Sequence, residues 1–435
     1  MLLYYQFKNF MSFKENVEFS MLASRTKVKN RFPNNYTATD CGEDVLKTAV
    51  IVGENAGGKS NFVRSLSYLQ GFFRETERVR AYKNAIHANN YNSFCPRENV
   101  TVQAFEIEAL IEGSGIYRYF LEIDFTGIRR EGLEFKGKDS GRYKGIFSVE
   151  RTENTLKCAH EKEKCAKERK CYFGHEDFYC LKVSGHDKGI ADVLLKTINK
   201  SESMGLIVTK LAMLGNEHAI HFAAWVKNTL CPETNVINYD IYKSMKSEED
   251  DLRVLRDSRY LDIFRMVDYS IIGFELDEEK PFSKTLVVRK KQDGTALKKE
   301  LGQDSSGVRE FFAWAVQVFR VVYENKVVFA DEMDRVLNPV LSDRVISFTC
   351  GKEHSGQFIF TTHNVLHLDL KNYMKEQIYF ITKDATTLES ELYSLADFPE
   401  IRYETTKIYE FYMKGILGGT AVPNPAPHPT ASDLI

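Results

Sequence analysis

Gly53-Glu54-Asn55-Ala56-Gly57-Gly58-Lys59-Ser60 satisfies the phosphate-loop spacing G-x-x-x-x-G-K-[ST] at every fixed position. Residues of these types at this spacing bind a nucleotide. Glycines let backbone N–H groups curl round phosphate oxygens, and a helix that follows presents roughly half a positive charge to the anion. Lys59 is expected to reach the β- and γ-phosphates of ATP, Ser60 to hold Mg2+, and Asn61 to close the binding stretch. Three further groups far along the chain carry matching chemistry. Asp331-Glu332 ends the apolar run Val327-Val328-Phe329-Ala330, where Asp331 would hold Mg2+ through its water shell and Glu332 would orient and deprotonate the attacking water. Asp304-Ser305-Ser306-Gly307 precedes a long apolar helix; its bland role is to cap that helix, and its functional one is to meet a γ-phosphate. Thr362-His363-Asn364 ends another apolar strand, placing a histidine where it can sense that phosphate.

Each group needs an element to hold it. Thr48 to Val52 reads as a buried strand, and Asn61 to Phe73 as an amphipathic helix with Phe62, Leu66, Leu69 and Phe73 on its apolar face. Val308 to Tyr323 reads as a helix with a Phe311, Phe312, Ala315, Val316, Phe319 stripe, Asn338 to Cys350 as another helix, and Gln357 to Thr361 as a strand. Leu3, Tyr5, Phe7 and then Val17, Phe19, Met21 alternate about a break at Asn9 to Phe13, which predicts a hairpin. Val100 to Leu110, Tyr117 to Asp124 and Gly127 to Phe135 predict an antiparallel block, after a loop-like stretch from Asn84 to Asn99. From Asp187 to about Asp268 the pattern turns helical, including Ile220 to Leu230 and Leu252 to Val267, without sustained heptads. Ile271 to Leu276 and Thr285 to Lys290 read as strands, the latter turning at Gln292-Asp293-Gly294 and returning to about Leu301.

Composition excludes some classes. The chain has 59 basic and 61 acidic residues, so there is no global pull toward nucleic acid, and the 8 cysteines in 435 residues are too sparse for a disulfide scaffold. No stretch approaches the roughly 18 apolar residues of a membrane span, and the start lacks a signal peptide, so a cytoplasmic protein with no membrane partner is expected. Cys158, His160, Cys165, Cys171, His175 and Cys180 raise the question of zinc. They contain no C-x2-C pair, and a charged surface segment with incidental thiols is the expectation. Ala421 to Ile435, rich in proline and small residues, reads as a flexible tail.

The order phosphate loop, serine-glycine cap, Asp-Glu strand, Thr-His strand resembles the ABC-type ATPase heads of the SMC and RecF kind. Within these it is similar to the AAA-type ATPases of bacterial abortive-infection and anti-phage systems, relatives of the overcoming-lysogenization-defect, Septu and PARIS ATPases. The likeness also draws on Asn9-Phe10-Met11-Ser12-Phe13, Tyr117-Arg118-Tyr119, the block around Trp225, Gln377 to Phe380, Glu391 to Leu395 and Gly415 to Gly419. It implies an α/β, ABC-type head with an antiparallel β subdomain and a helical insertion. The corresponding division is an N-terminal lobe at 1–185, the insertion at 186–270, a C-terminal lobe at 271–423 and a tail at 424–435. It further implies that heads pair, so that Ser305, Ser306 and Gly307 of one copy close over ATP on the other. Asn338 stands where relatives often have histidine, Asp-Ser-Ser-Gly-Val departs from the transporter signature Leu-Ser-Gly-Gly-Gln, and Gln103 is the candidate for the glutamine-loop magnesium ligand.

The implied function is a slow ATPase acting as sensor and scaffold in abortive infection, holding a separate toxin or nuclease until a phage trigger changes the assembly. From the roughly 70 residues that follow His363, no nuclease domain of the topoisomerase-primase kind is expected in this chain, and the destructive activity is expected in a partner. The alternative is a RecF/SMC-like DNA-binding ATPase of repair or maintenance, in which Arg289-Lys290-Lys291 and Lys298-Lys299 could meet nucleic-acid phosphates, although such a run is more often a solvated hairpin face. A third reading has ATP bound but scarcely hydrolysed, as a switch for oligomerisation.

Overall fold

Alternation in the first residues becomes β1 (Leu2–Lys8), whose Leu3, Tyr5 and Phe7 are buried while Lys8 is exposed. It pairs antiparallel with β2 (Val17–Ser20), Tyr5 opposite Phe19, as the hairpin expectation requires. The computed structural model describes residues 1–74, 102–124, 127–151, 172–173, 179–184, 190, 193–194, 205–233, 249–404 and 406–417. The Asn84 to Asn99 loop, the zinc question and the tail lie outside the described residues or side chains, as do Val100, Gly418 and Gly419.

Two small strands, β3 (Tyr36–Ala38) and β4 (Asp44–Leu46), precede β5 (Thr48–Gly53) and the helix α1 (Lys59–Arg74). Then come β6 (Gln103–Ile111), β7 (Gly115–Asp124), β8 (Gly127–Gly137), β9 (Lys144–Arg151), β10 (Tyr172–Phe173) and β11 (Tyr179–Val183). With β1 and β2 they form one antiparallel sheet ordered β10-β11-β9-β8-β7-β6-β1-β2. Adjacent strands are joined by short turns for much of this sheet, which is why its alternation is readable locally.

Helices α2 (Ile207–Met213) and α3 (Glu217–Asn228) pack on that sheet, Phe222 of α3 reaching Tyr119 and Phe73 at ring-centroid distances of 5.2 and 5.9 Å. The chain from Ile220 does not stay helical to Leu230, because Leu230 opens β12 (Leu230–Glu233), which pairs in parallel with a strand nearly a hundred residues on. The stretch 252–267 is two helices, α4 (Glu249–Leu255) and α5 (Tyr260–Phe264). Between them Asp257 accepts a hydrogen bond from the Arg259 N–H at 2.9 Å, a local turn that competes with helix continuation.

Strands β13 (Ile271–Glu275), β14 (Leu286–Lys290) and β15 (Ala296–Glu300) form a separate three-stranded antiparallel sheet. The remaining elements are α6 (Ser306–Glu324), β16 (Val327–Ala330), α7 (Pro339–Gly351), β17 (Gln357–Thr362), β18 (Ile378–Lys383), β19 (Ser390–Ser394) and α8 (Ile408–Met413). The second large sheet runs β12-β16-β17-β5-β18-β19, parallel except at the β19 edge. β5 is buried along its whole length, which is why it reads as an unbroken apolar run rather than an alternating one. α1 lies between the two sheets. Its Phe62 meets Phe19 of the antiparallel sheet at 5.4 Å and Phe329 of the parallel sheet at 6.2 Å, so both sheets set the helix that the phosphate loop feeds. The protein is thus α/β with an antiparallel β subdomain. No helix among the described residues is long and apolar enough to cross a membrane.

Candidate functional site

In an open α/β sheet, ligands gather at the carboxyl ends of parallel strands. Here three adjacent ones end together: β5 in the glycine loop, β17 in Thr362-His363 and β16 in Asp331-Glu332. The register places Val52 opposite Thr362 and Ala330 opposite Phe360, so the three tips are level.

The loop itself is tightly constrained. Its Glu54 carbonyl accepts from the Gly57 N–H at 3.1 Å, a turn in which Ala56 takes a left-handed φ of 61°. Gly58 has φ 121°, and a Cβ there would lie 2.7 Å from the Ser390 hydroxyl, so glycine is required twice over. Lys59, only 5% exposed, donates to the Gly53 and Glu54 carbonyls at 2.8 Å each, and its Nζ stands 3.5 Å from His363 Nδ1. Lys59 and His363 are 304 positions apart in sequence, and the parallel pairing of β5 with β17 alone brings them together. Glu54 Oε1 is buried without a hydrogen-bond partner, and burial pushes its carboxyl up, opposed by the Lys59 charge.

The carboxylates are set by a residue the motifs did not single out. Thr361 donates its hydroxyl to Asp331 Oδ1 at 2.7 Å and accepts the Glu332 N–H, also at 2.7 Å. Asp331 is buried, whereas Glu332 turns off the strand end with a left-handed φ of 50°. A glutamate in that region is strained by about 1–3 kcal/mol and persists only where its surroundings over-determine it. Glu332 Oε2 is 2.9 Å from Arg335 Nε, a half-exposed pair of modest strength.

Ser60 and Asp331 offer a hydroxyl and a carboxylate, the hard oxygen donors that suit Mg2+. Lys59 folded onto two carbonyls is an ammonium ready to exchange them for phosphate oxygens. The residues therefore fit a magnesium nucleotide. Gln103 is fully buried on β6, with its amide donating to the Asn9 carbonyl at 2.8 Å. Asn338 caps α7 by accepting the Leu341 N–H at 3.0 Å.

The Asp304 to Gly307 group is not packed against the loop of the same chain in this way. Ser305 caps α6, accepting the Val308 N–H at 3.4 Å, and Ser305, Ser306 and Gly307 are exposed. Asp304 is held from behind by Arg289, whose guanidinium is 2.7 Å from Asp304 and 2.9 Å from Asp268. Arg289 is therefore turned inward, with a side chain 14% exposed, and is not a phosphate contact on the hairpin's outer face. Lys298 of the same hairpin pairs with Glu275 at 2.5 Å. The sequence had shown the charges but not their partners, which come from other elements.

No protein-family profile matches the chain, and no curated protein does. Among solved structures it is similar to the SMC head domain from Thermotoga maritima, with 13% identity over 90% of this chain and 98% of that one and a TM-score of 0.41. It is also similar to an Smc head bound to the C-winged helix domain of ScpA, at 14% identity over 90% and 97% and a TM-score of 0.44. A third is an Smc head domain with an extended coiled coil bound to the C-terminal domain of ScpA derived from Pyrococcus furiosus, at 13% identity over 96% and 98% and a TM-score of 0.40. At these values the likeness is one of architecture.

Proposed function

We propose that the protein binds and hydrolyses ATP as an ABC-type head. One observation carries this: Lys59 and His363 lie 3.5 Å apart, beside the strand end where Thr361 joins Asp331 and Glu332. Gly57 and Gly58 backbone groups and Lys59 would bind the phosphates, and Ser60 and Asp331 would hold Mg2+, which when bound would supply positive charge against the phosphates. Glu332 takes the proton of the attacking water, and His363 hydrogen-bonds the γ-phosphate. The exposed Ser305, Ser306 and N-terminus of α6 meet the γ-phosphate of a second copy, so loss of that phosphate releases the pair. Purified protein with Mg2+ should turn over ATP with a specific rate that rises with protein concentration, and Lys59→Ala should abolish nucleotide binding. Binding that survives Lys59→Ala unchanged overturns the site; a rate independent of concentration overturns the pairing.

For the biological role, the sequence resemblance supports a sensor and scaffold of abortive infection that controls a toxin or nuclease in trans. The inward Arg289 and the Lys298–Glu275 pair leave the DNA-binding alternative with less free basic surface than the sequence suggested. Protection of cells against phage by this gene with its neighbours, lost in Lys59→Ala, tests the role; DNA-stimulated, salt-sensitive turnover without protection supports the alternative instead.

A further inference from the structure

Ser390 opens the edge strand β19 and is 4% exposed, yet it belongs to none of the groups named so far as acting on nucleotide. Its hydroxyl lies 2.6 Å from the Gly57 carbonyl and 2.8 Å from Ser12 Oγ, and Ser12 Oγ in turn accepts from Asn61 Nδ2 at 2.9 Å. The Gly57 carbonyl can only accept, and a serine has one proton, so the order is forced. Asn61 donates to Ser12, Ser12 to Ser390, and Ser390 to Gly57. All three bonds point the same way, an arrangement in which each strengthens the next. The chain starts on the first turn of α1, leaves through the turn between β1 and β2, crosses to β19 and returns to the loop. The Ser390 N–H also donates to the Ser12 carbonyl at 2.7 Å, and Lys14 pairs with Glu389 at 3.0 Å, so the two bracing segments are clamped together beside it.

We propose that Ser390 and Ser12 are positioning residues that aim the phosphate loop's backbone at its ligand. In a planar trans peptide the carbonyl of Gly57 and the N–H of Gly58 point in opposite directions, and the chain has no cis bond among its described residues. Holding the Gly57 oxygen on Ser390, outside the loop, turns the Gly58 N–H to the other side, away from β19. Gly58, at φ 121°, has no side chain of its own to resist a flip of that peptide. Without the serine hydroxyl the peptide is free to reverse and present an oxygen to a phosphate. This inference rests on the reading of 53–60 as a phosphate cradle.

The test measures equilibrium binding of ATP, ADP and inorganic tripolyphosphate, together with the thermal midpoint of the nucleotide-free protein. Ser390→Ala is expected to weaken all three ligands by a similar factor, on the order of tenfold for one aimed donor, while Ser390→Thr restores most of the loss. Ser12→Ala, at a half-buried position, breaks the chain one link earlier and should weaken the same ligands less. The double variant should lose no more than Ser390→Ala alone, because both serines act on one peptide. Should Ser390→Ala not fold, the Ser12→Ala comparison decides. Wild-type affinity in the variants, or a loss that simply adds in the double variant, overturns the proposal. Failure of the wild-type protein to bind any of the three ligands overturns the ATPase reading instead.

Discussion

The phosphate loop and the serine-glycine cap before α6, proposed to meet the same triphosphate, are held in opposite ways. The loop is held on every side by its own chain: Lys59 on two carbonyls, Ser390 on Gly57, and α1 between two sheets. The cap is exposed, closed locally by Ser305 accepting the Val308 N–H and Asp304 accepting the Ser305 N–H, and anchored from behind through Arg289 and Asp304. One region is held within its own chain, and the other is presented outward on an anchored base. That contrast is what the proposed reaction between two copies requires, and on that proposal the two regions should respond differently to mutation.

The largest effect should come from Glu332→Gln on the side held within its own chain. Turnover should fall by on the order of 10²-fold or more with ATP affinity kept, since the amide cannot take a proton but retains the shape. Turnover equal to wild type in single-turnover kinetics would remove Glu332 from the role of base. On the outward side, Arg289→Ala leaves the carboxylates of Asp268 and Asp304 without their shared cation. Because the group is partly buried, the cost lies between exposed and buried pairs, about 2 kcal/mol by denaturant unfolding. Turnover should fall with it while nucleotide affinity of the single chain stays, and a variant that instead lost affinity would erase the distinction between the two regions. Ser305→Asp sharpens it further. Aspartate caps a helix as well as serine, so stability should hold within about 0.5 kcal/mol, but its charge opposes a γ-phosphate and concentration-dependent turnover should disappear. Ser305→Ala should instead cost about 0.5–1 kcal/mol of stability.

The smallest effect lies away from both regions. Glu131 is fully buried under the start of α2, where its carboxyl accepts the Ile207 and Val208 N–H groups at 2.7 and 2.9 Å and the Tyr119 hydroxyl at 3.1 Å. Burial outweighs these bonds and pushes its pKa up to about 7. A folded value above the unfolded one means that the native state holds the proton more tightly. This contribution to stability is complete below the ordinary glutamate range and is lost as pH rises through about 7. The thermal midpoint should carry a downward slope over that window that Glu131→Gln flattens, and an unchanged slope in the variant would assign the titration elsewhere.

Much of this was legible in the chain's letters. The loop, α1, the antiparallel block and the hairpin at Asp293-Gly294 depend on contacts between near neighbours, and local pattern carried them. Strand β12 was not legible, because four residues at the end of a helical pattern become a strand only when β16 offers its edge. Thr361, Ser12 and Ser390 were missed for the same reason: a serine or threonine is common in any strand or turn, and its use is defined by what lies across from it. Arg289 was visible as a charge but read as facing outward, since its two aspartates come from separate elements.

By itself the sequence determined which groups could handle a triphosphate, because glycine at a left-handed turn, an ammonium and a pair of carboxylates are chemical facts of single residues and short spacings. Only the tertiary structure decided that Lys59 meets His363, that Thr361 joins Asp331 to Glu332, and that Ser390 donates to the Gly57 carbonyl. Those pairings depend on strand order and register, which arise from burying both faces of β5 at once and leave no mark on any one segment of the chain.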